Sequence, residues 1–227
     1  MLAVTAICRL IALSFATALT GCATSGFSVS SDTAIIVGHT TLGYAFTVRS
    51  PIRVTDLGLY DHYSVDGFND QHAVAIWTST GTQLVQTTIP AGTSAKLIDN
   101  FRYVPIAPFI LAPGTYTIGA STSTKISHPQ GVWDFFLVDS TITSAYEVSY
   151  LGPRSTYFGE GFRFPSGNNF RDSGNLVYRH RPYDLGFFGP NFWFTCGDPT
   201  QAPTLCRPKI SPWKTWKPRA TILGLGP

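Results

Sequence analysis

The chain has 227 residues, of which 13% are charged and 14% aromatic, with 21 Gly and 16 Pro. So few charges beside so many rings exclude a disordered chain, and the turn formers favour short strands around one core. The formal net charge of +3 is uneven: with Arg9 and the tail set aside, 10 basic side chains stand against 13 acidic ones, whereas Arg207, Lys209, Lys214, Lys217 and Arg219 crowd an acid-free tail.

Residues 1–22 read as an export signal. Arg9 precedes the apolar run 10–19, which is too short to cross a bilayer comfortably and ends in small residues, as a secretory leader does. Leu19-Thr20-Gly21-Cys22 has the layout of a lipobox, in which the Cys22 thiol takes a diacylglycerol and becomes the new N-terminus. Ordinary cleavage between Ala18 and Ala23 is the alternative, with Cys22 incidental. Either route places the protein in the periplasm, on the outer membrane or cell surface, or outside the cell; membrane contact is expected only through a lipid on Cys22, if the first route holds.

A lead-in over 23–41 precedes an expected β-sandwich domain over 42–196. Apolar residues there follow period two, as in Val74 and Ile76, between Gly, Pro, Asn and Asp turns. Strands are predicted at 34–37, 42–48, 52–60, 73–78, 83–89, 101–106, 114–120, 134–138, 145–150 and 191–195. Turns such as Ser79-Thr80-Gly81 and Ala112-Pro113-Gly114 suit hairpins, and no segment keeps an amphipathic helix for three turns. The fold class that follows is all-β, an antiparallel, jelly-roll-like sandwich.

Along this domain the first chemical candidate is the loop 61–70. Asp61, Asp66, Asn69 and Asp70 gather oxygens of the kind calcium prefers, but the spacing does not fit an EF-hand and Asp-Gly with Asn-Asp is also plain turn chemistry. His72 opens the next strand as a ligand, an acid/base group or hydrogen-bonded scaffold. Trp77 and Trp133 are expected in the core, although an exposed row of rings would stack on sugars.

The stretch 152–188 interleaves Arg154, Arg163, Arg171, Arg179 and Arg181 with rings, and Phe101-Arg102-Tyr103 reads as a strand with core-facing rings. Arg154, Tyr157, Arg163, Arg179 and Tyr183 form a candidate surface for acidic polysaccharide; aromatic packing with solvated Arg is the other reading.

After the domain, 197–227 is an irregular basic tail. Cys196 and Cys206 flank a turn-rich stretch and would pair in an oxidising compartment, although free thiols explain the spacing as well; neither CxxC nor a nearby His argues for zinc. The tail's cations with Trp213 and Trp216 suit nucleic acid or an anionic membrane, but an exported chain meets little nucleic acid, so no nucleic-acid partner is expected and the tail reads as a disordered end without a specific partner. The oligomeric state stays open.

Leu42-Gly43-Tyr44-Ala45-Phe46-Thr47-Val48 and Val54-Thr55-Asp56-Leu57-Gly58-Leu59-Tyr60-Asp61 are followed by Asp66-Gly67-Phe68, His72, Val74-Ala75-Ile76-Trp77, Gly81, Phe101-Arg102-Tyr103-Val104, Gly114-Thr115-Tyr116-Thr117-Ile118-Gly119-Ala120 and Gly189-Pro190-Asn191-Phe192. In this order the chain resembles an uncharacterised β-sandwich domain of PEP-CTERM, exosortase-sorted, exported bacterial proteins. The resemblance implies an extracytoplasmic sandwich with no assigned reaction. The chain departs from it at the end, where Lys217-Pro218-Arg219 and a weakly apolar stretch replace Pro-Glu-Pro and an apolar span; either a lipid on Cys22 takes over the anchoring or the last stretch is read out of frame.

Signatures of common enzymes are missing: there is no Gly-x-Ser-x-Gly, His-Glu-x-x-His, P-loop or dinucleotide fingerprint. A glycosidase pair would have to come from Asp61, Asp134 or Glu160, whose spacing does not argue for it. The sequence thus predicts a non-enzymatic exported module with a binding or structural role at the cell surface or in extracellular matrix, its partner an extracellular polysaccharide. The alternatives are a carbohydrate-acting enzyme and a calcium-stabilised adhesion module.

Overall fold

The computed structural model describes residues 23–30, 34–35, 40–61, 66–122, 136–138, 141–157, 159–167 and 187–196. Among them the regular elements are all strands, in chain order β1 (Thr24–Ser25), β2 (Phe27–Ser30), β3 (Ala34–Ile35), β4 (Thr41–Val48), β5 (Ile52–Tyr60), β6 (His72–Thr78), β7 (Gln83–Ile89), β8 (Lys96–Ile98), β9 (Phe101–Leu111), β10 (Gly114–Ser121), β11 (Phe136–Val138), β12 (Thr141–Ser144), β13 (Val148–Ser155), β14 (Phe187–Phe188) and β15 (Pro190–Cys196). A first sheet runs β1-β15-β5-β9-β8 and a second β13-β4-β10-β6-β7, with the smaller sheets β14-β11-β3 and β12-β2 beside them. The fold is an antiparallel β-sandwich.

One two-stranded ribbon builds both large sheets. β4 pairs with β10 from Thr41↔Ser121 to Val48↔Gly114, and β5 pairs with β9 from Ile52↔Leu111 to Tyr60↔Phe101. The same two stretches of chain are therefore partners in each layer and cross between layers together, which is the jelly-roll arrangement. Pro51 and Pro113 stand in the two crossings, where no ladder hydrogen bond is asked of them.

Alternation then fills the space between the sheets. Leu42, Tyr44, Phe46, Val48, Val74, Ile76, Ile118 and Ala120 face inward from the second sheet, and Ile52, Val54, Leu57, Leu59, Phe192 and Phe194 from the first, each at most 2% exposed. Phe27 reaches in from the β1 edge, with its ring edge-on to Tyr44 and Phe192 at 5.0 and 5.9 Å. Each Val, Leu, Ile or Phe among them contributes about 1.5–3 kcal/mol on burial.

The apolar pattern of β5 slips by one residue after Val54, and the ladder slips with it. The register jumps from Val54↔Phe109 to Asp56↔Pro105, so Ile106, Ala107 and Pro108 bow out opposite Thr55. Bulges accept proline, which is why β9 continues to Leu111 through Pro105 and Pro108 although the sequence predicts its end at 106. Past the bulge, Arg102 shares a face with Leu57 and Leu59 and points between the sheets. Phe101 and Tyr103 are buried as expected, but on the outer side of the first sheet; Tyr103 lies across Gly58, where a Cβ would come within 2.4 Å of the ring. The short β8, which the sequence reading omits, pairs with β9 through Asp99-Asn100, whose φ angles of 50° and 63° make the two-residue hairpin turn that Asp and Asn tolerate best after Gly.

The outer face of the second sheet carries small residues, among them Gly43, Ala45, Ala75 and Gly119, and residues 159–167 pass over it, with Pro165 against Gly119 and Phe164 against Gly81. Trp77 is buried, though beneath this overlying segment rather than between the sheets, with Phe162 and Phe164 at 5.5 and 6.2 Å. Trp133 lies outside the described residues.

Burial pushes the phenols of Tyr44, Tyr103 and Tyr150 well above the ordinary tyrosine value; neighbouring phenols add to this at Tyr44, and the Arg154 cation partly offsets it at Tyr150. The folded state thus holds these protons more tightly than the unfolded chain. Their contribution to stability is complete below the unfolded value of about 10 and is lost as pH rises toward the folded values, by up to about 1.4 kcal/mol per pH unit per phenol. Denaturant midpoints are expected to hold steady up to roughly pH 10 and fall above it, with phenolate absorbance from these rings appearing only as the chain unfolds.

Candidate functional site

A clasp of threonines fixes the overlying segment. Thr40 and Thr156 bring their hydroxyls to 2.7 Å, and Thr156 Oγ1 accepts the Thr41 N–H at 2.9 Å while the Thr156 N–H donates to the Thr41 carbonyl at 3.0 Å. Thr122 Oγ1 accepts the Thr40 N–H at 3.0 Å. Thr41 Oγ1 accepts the Arg163 N–H at 2.9 Å and donates to the Gly161 carbonyl at 3.1 Å. Thr40, Thr41, Thr122 and Thr156 are all buried. Each of these bonds contributes about 0.5–1.5 kcal/mol net, and leaving one unmade would cost more.

Beside the clasp the sheet and the segment enclose a groove of about 250 Å³, lined by Thr40, Gln71, Ala73, Thr88, Ser121, Thr122, Gly161 and Phe162. None of these side chains is charged. Ser121 Oγ accepts the Ala73 N–H at 2.8 Å, so its position is set by the strand pairing. Gln71 and Thr88 are exposed at the rim, and Phe162 presents a partly open ring. Apart from Phe162, a ring of the 152–188 stretch, the sequence reading misses this site: its walls lie far apart along the chain and meet only through the pairing of β4, β6, β7 and β10.

Asp61 is buried and turns inward, where its Oδ2 accepts from Arg102 Nε at 2.6 Å. Arg102 Nη1 also donates to the Thr93 and Ala95 carbonyls, each at 3.1 Å. Asp66, Asn69 and Asp70 belong to the loop ahead of β6, which is pinned by Phe68 and Gly92 bonding each other's backbone. Gly67, at φ 76°, has the Gly92 carbonyl where a side chain would begin, so no other residue fits there. Among the described residues no group of three or more His, Cys, Asp or Glu is placed to hold a metal ion. His72 is wholly buried, with Nδ1 2.7 Å from the Ser121 carbonyl and its ring edge-on to Phe68 at 5.1 Å, which is scaffold geometry.

Of the candidate basic surface, Arg154 closes β13 and hydrogen-bonds the Pro153 carbonyl through Nη1 at 2.8 Å. Tyr157 is exposed, and its N–H donates to Glu160 Oε2 at 2.8 Å. Glu160 also pairs with Arg163, so that cation is already matched. Arg179 and Tyr183 lie outside the described residues, as do Cys22 and Asp134. Cys196 is disulfide-bonded, and its expected partner Cys206 is likewise outside them.

Fold and groove together define a jelly-roll-like sandwich with a small, uncharged cleft under a clasped segment. No family model matches the chain, and no curated protein or solved structure matches it.

With side chains only 3% exposed on both partners, the Asp61–Arg102 pair is a buried one. Asp61→Ala would strand the guanidinium and is expected to cost about 3–5 kcal/mol, whereas Asp61→Ala with Arg102→Met is expected to recover most of the loss. Urea denaturation of the three proteins measures the difference.

Proposed function

We propose that this is an exported, non-enzymatic binding module that holds a neutral sugar unit of an extracellular polysaccharide in the groove beside Phe162. The observation that carries the reading is the lining itself: a mostly apolar wall with one partly open ring, the Gln71 amide and the Thr88 and Ser121 hydroxyls at its side, and no charge to select an ion. Sugar hydroxyls are donors and acceptors at once, which Gln71, Thr88 and Ser121 complement, and the C–H face of a sugar ring suits an aromatic plane. The cleft is smaller than the roughly 300–1,000 Å³ typical of drug-sized ligands, a size that favours one unit of a longer polymer. The threonine clasp sets the walls before a ligand arrives, which lowers the cost of binding.

Export rests on the leader at 1–22, and the resemblance to the PEP-CTERM sandwich domain agrees with a role outside the cytoplasm. With Arg163 matched by Glu160, the acidic-polysaccharide surface gives way to the neutral groove.

A glycan array carrying neutral and acidic polysaccharides tests the reading. Binding to neutral glycans is expected, weakened about tenfold or more by Phe162→Ala and by Gln71→Ala, with the fold preserved. Capture of acidic glycans only, or binding indifferent to both substitutions, would reject the groove.

A further inference from the structure

We infer that β7 is a self-pairing edge, joining two copies of this chain into one continuous sheet. The large sheets end in β1, β8, β13 and β7. Three of these edges carry the features that discourage pairing. β1 has only two residues, β8 has three and bears Lys96, and β13 is broken by a register shift at Tyr150/Gly152 and then carries Pro153 and Arg154. β7, by contrast, reads Gln-Leu-Val-Gln-Thr-Thr-Ile, seven residues without charge or proline, and its one irregularity, near Leu84, leaves Val85 to Ile89 in unbroken register with β6.

The free hydrogen-bonding groups of β7 follow from its neighbours. On β6 the Ala73 N–H goes to Ser121 Oγ of β10, and the Thr78 N–H goes back to the Thr82 carbonyl on the β7 side. Odd-numbered residues of β6 therefore point their backbone groups at β10 and even-numbered ones at β7. Ala73 pairs with Thr88 and Ala75 with Gln86, so the backbone groups of Gln86 and Thr88 face away from the sheet. A second copy turned about a two-fold axis through Thr87 sets Gln86 against Thr88 and Thr88 against Gln86, and forms roughly four main-chain hydrogen bonds. Thr87 then faces Thr87, a favourable cross-strand pair, and no like charges meet.

The occupant's chemistry is also written in what flanks the edge. Leu84 on β7 itself is exposed at 42%, and Val85 beside it is only half-buried. Apolar side chains beside an open ladder suit a protein partner, and the neutral, self-complementary register selects a second copy. Because the axis stands perpendicular to the sheet, both outer faces look the same way. The two grooves, each reaching Thr88 on β7, then lie on one surface and can engage one polymer together; this last consequence rests on the glycan reading, whereas the pairing does not.

Light scattering on the purified chain across a concentration series tests the pairing without any glycan. The expected result is a mass that doubles with concentration. Gln86→Pro removes an N–H that serves no bond within the sheet, and Thr87→Lys opposes two cations on the axis; each is expected to raise the dissociation constant about tenfold or more. Mixing Thr87→Lys with Thr87→Glu is expected to restore the dimer. A monomer at every concentration, a dimer untouched by both Gln86→Pro and Thr87→Lys, or folded charge variants that fail to recombine would each overturn the proposal. If the Thr87 variants do not fold, Gln86→Pro against the wild type decides alone.

Discussion

The molecule depends on a ribbon of two antiparallel segments that must fold across itself without losing its pairing. The stretches 41–60 and 101–121 are partners in one layer, cross over, and are partners again in the other. Every inward side chain takes its direction from this ribbon, because a slip of one residue would move its whole apolar set to the opposite face. The slip that does occur, at Thr55, is absorbed in the bowed residues 106–108, and it turns Arg102 inward to meet Asp61. The buried ion pair is thus a product of the bulge, and the carbonyls of Thr93 and Ala95 complete what Asp61 alone leaves unsatisfied.

Much of this architecture is legible in the sequence. Alternation and the turn residues that bound each run give β5 and β7 their bounds and place β4, β6 and β10 to within a residue. The parts that escape have physical causes. Pro105 and Pro108 argue locally against a strand, and only the partner strand shows that they occupy a bulge. β8 is too short for a period to register, although Asp99-Asn100 is a hairpin signal that loop chemistry alone would pick up.

The candidate site is less legible than the fold for a related reason. Carboxylates clustered in sequence, as over 61–70, suggest a cation site, but the two ends of such a loop obey different strands. Asp61 continues the inward face of β5 and is claimed by Arg102, while Asp66 to Asp70 belong to the approach to β6. The groove has the opposite history: Thr40, Gln71, Thr88, Ser121 and Phe162 carry no motif and converge only when distant strands pair. Uncharged sites built from separate strands leave little trace in a single chain.

The same ribbon governs how the chain reaches this state. Thr41 waits for Ser121, Leu42 for Ser155, and Val54 for Phe194, so few contacts can form before most of the polypeptide is present. Topologies dominated by such remote partners fold in milliseconds to seconds rather than microseconds. For a polypeptide that is threaded through a membrane channel on its way out, as proposed, reluctance to close early keeps it slender while it travels, and the finished sandwich assembles only on the far side.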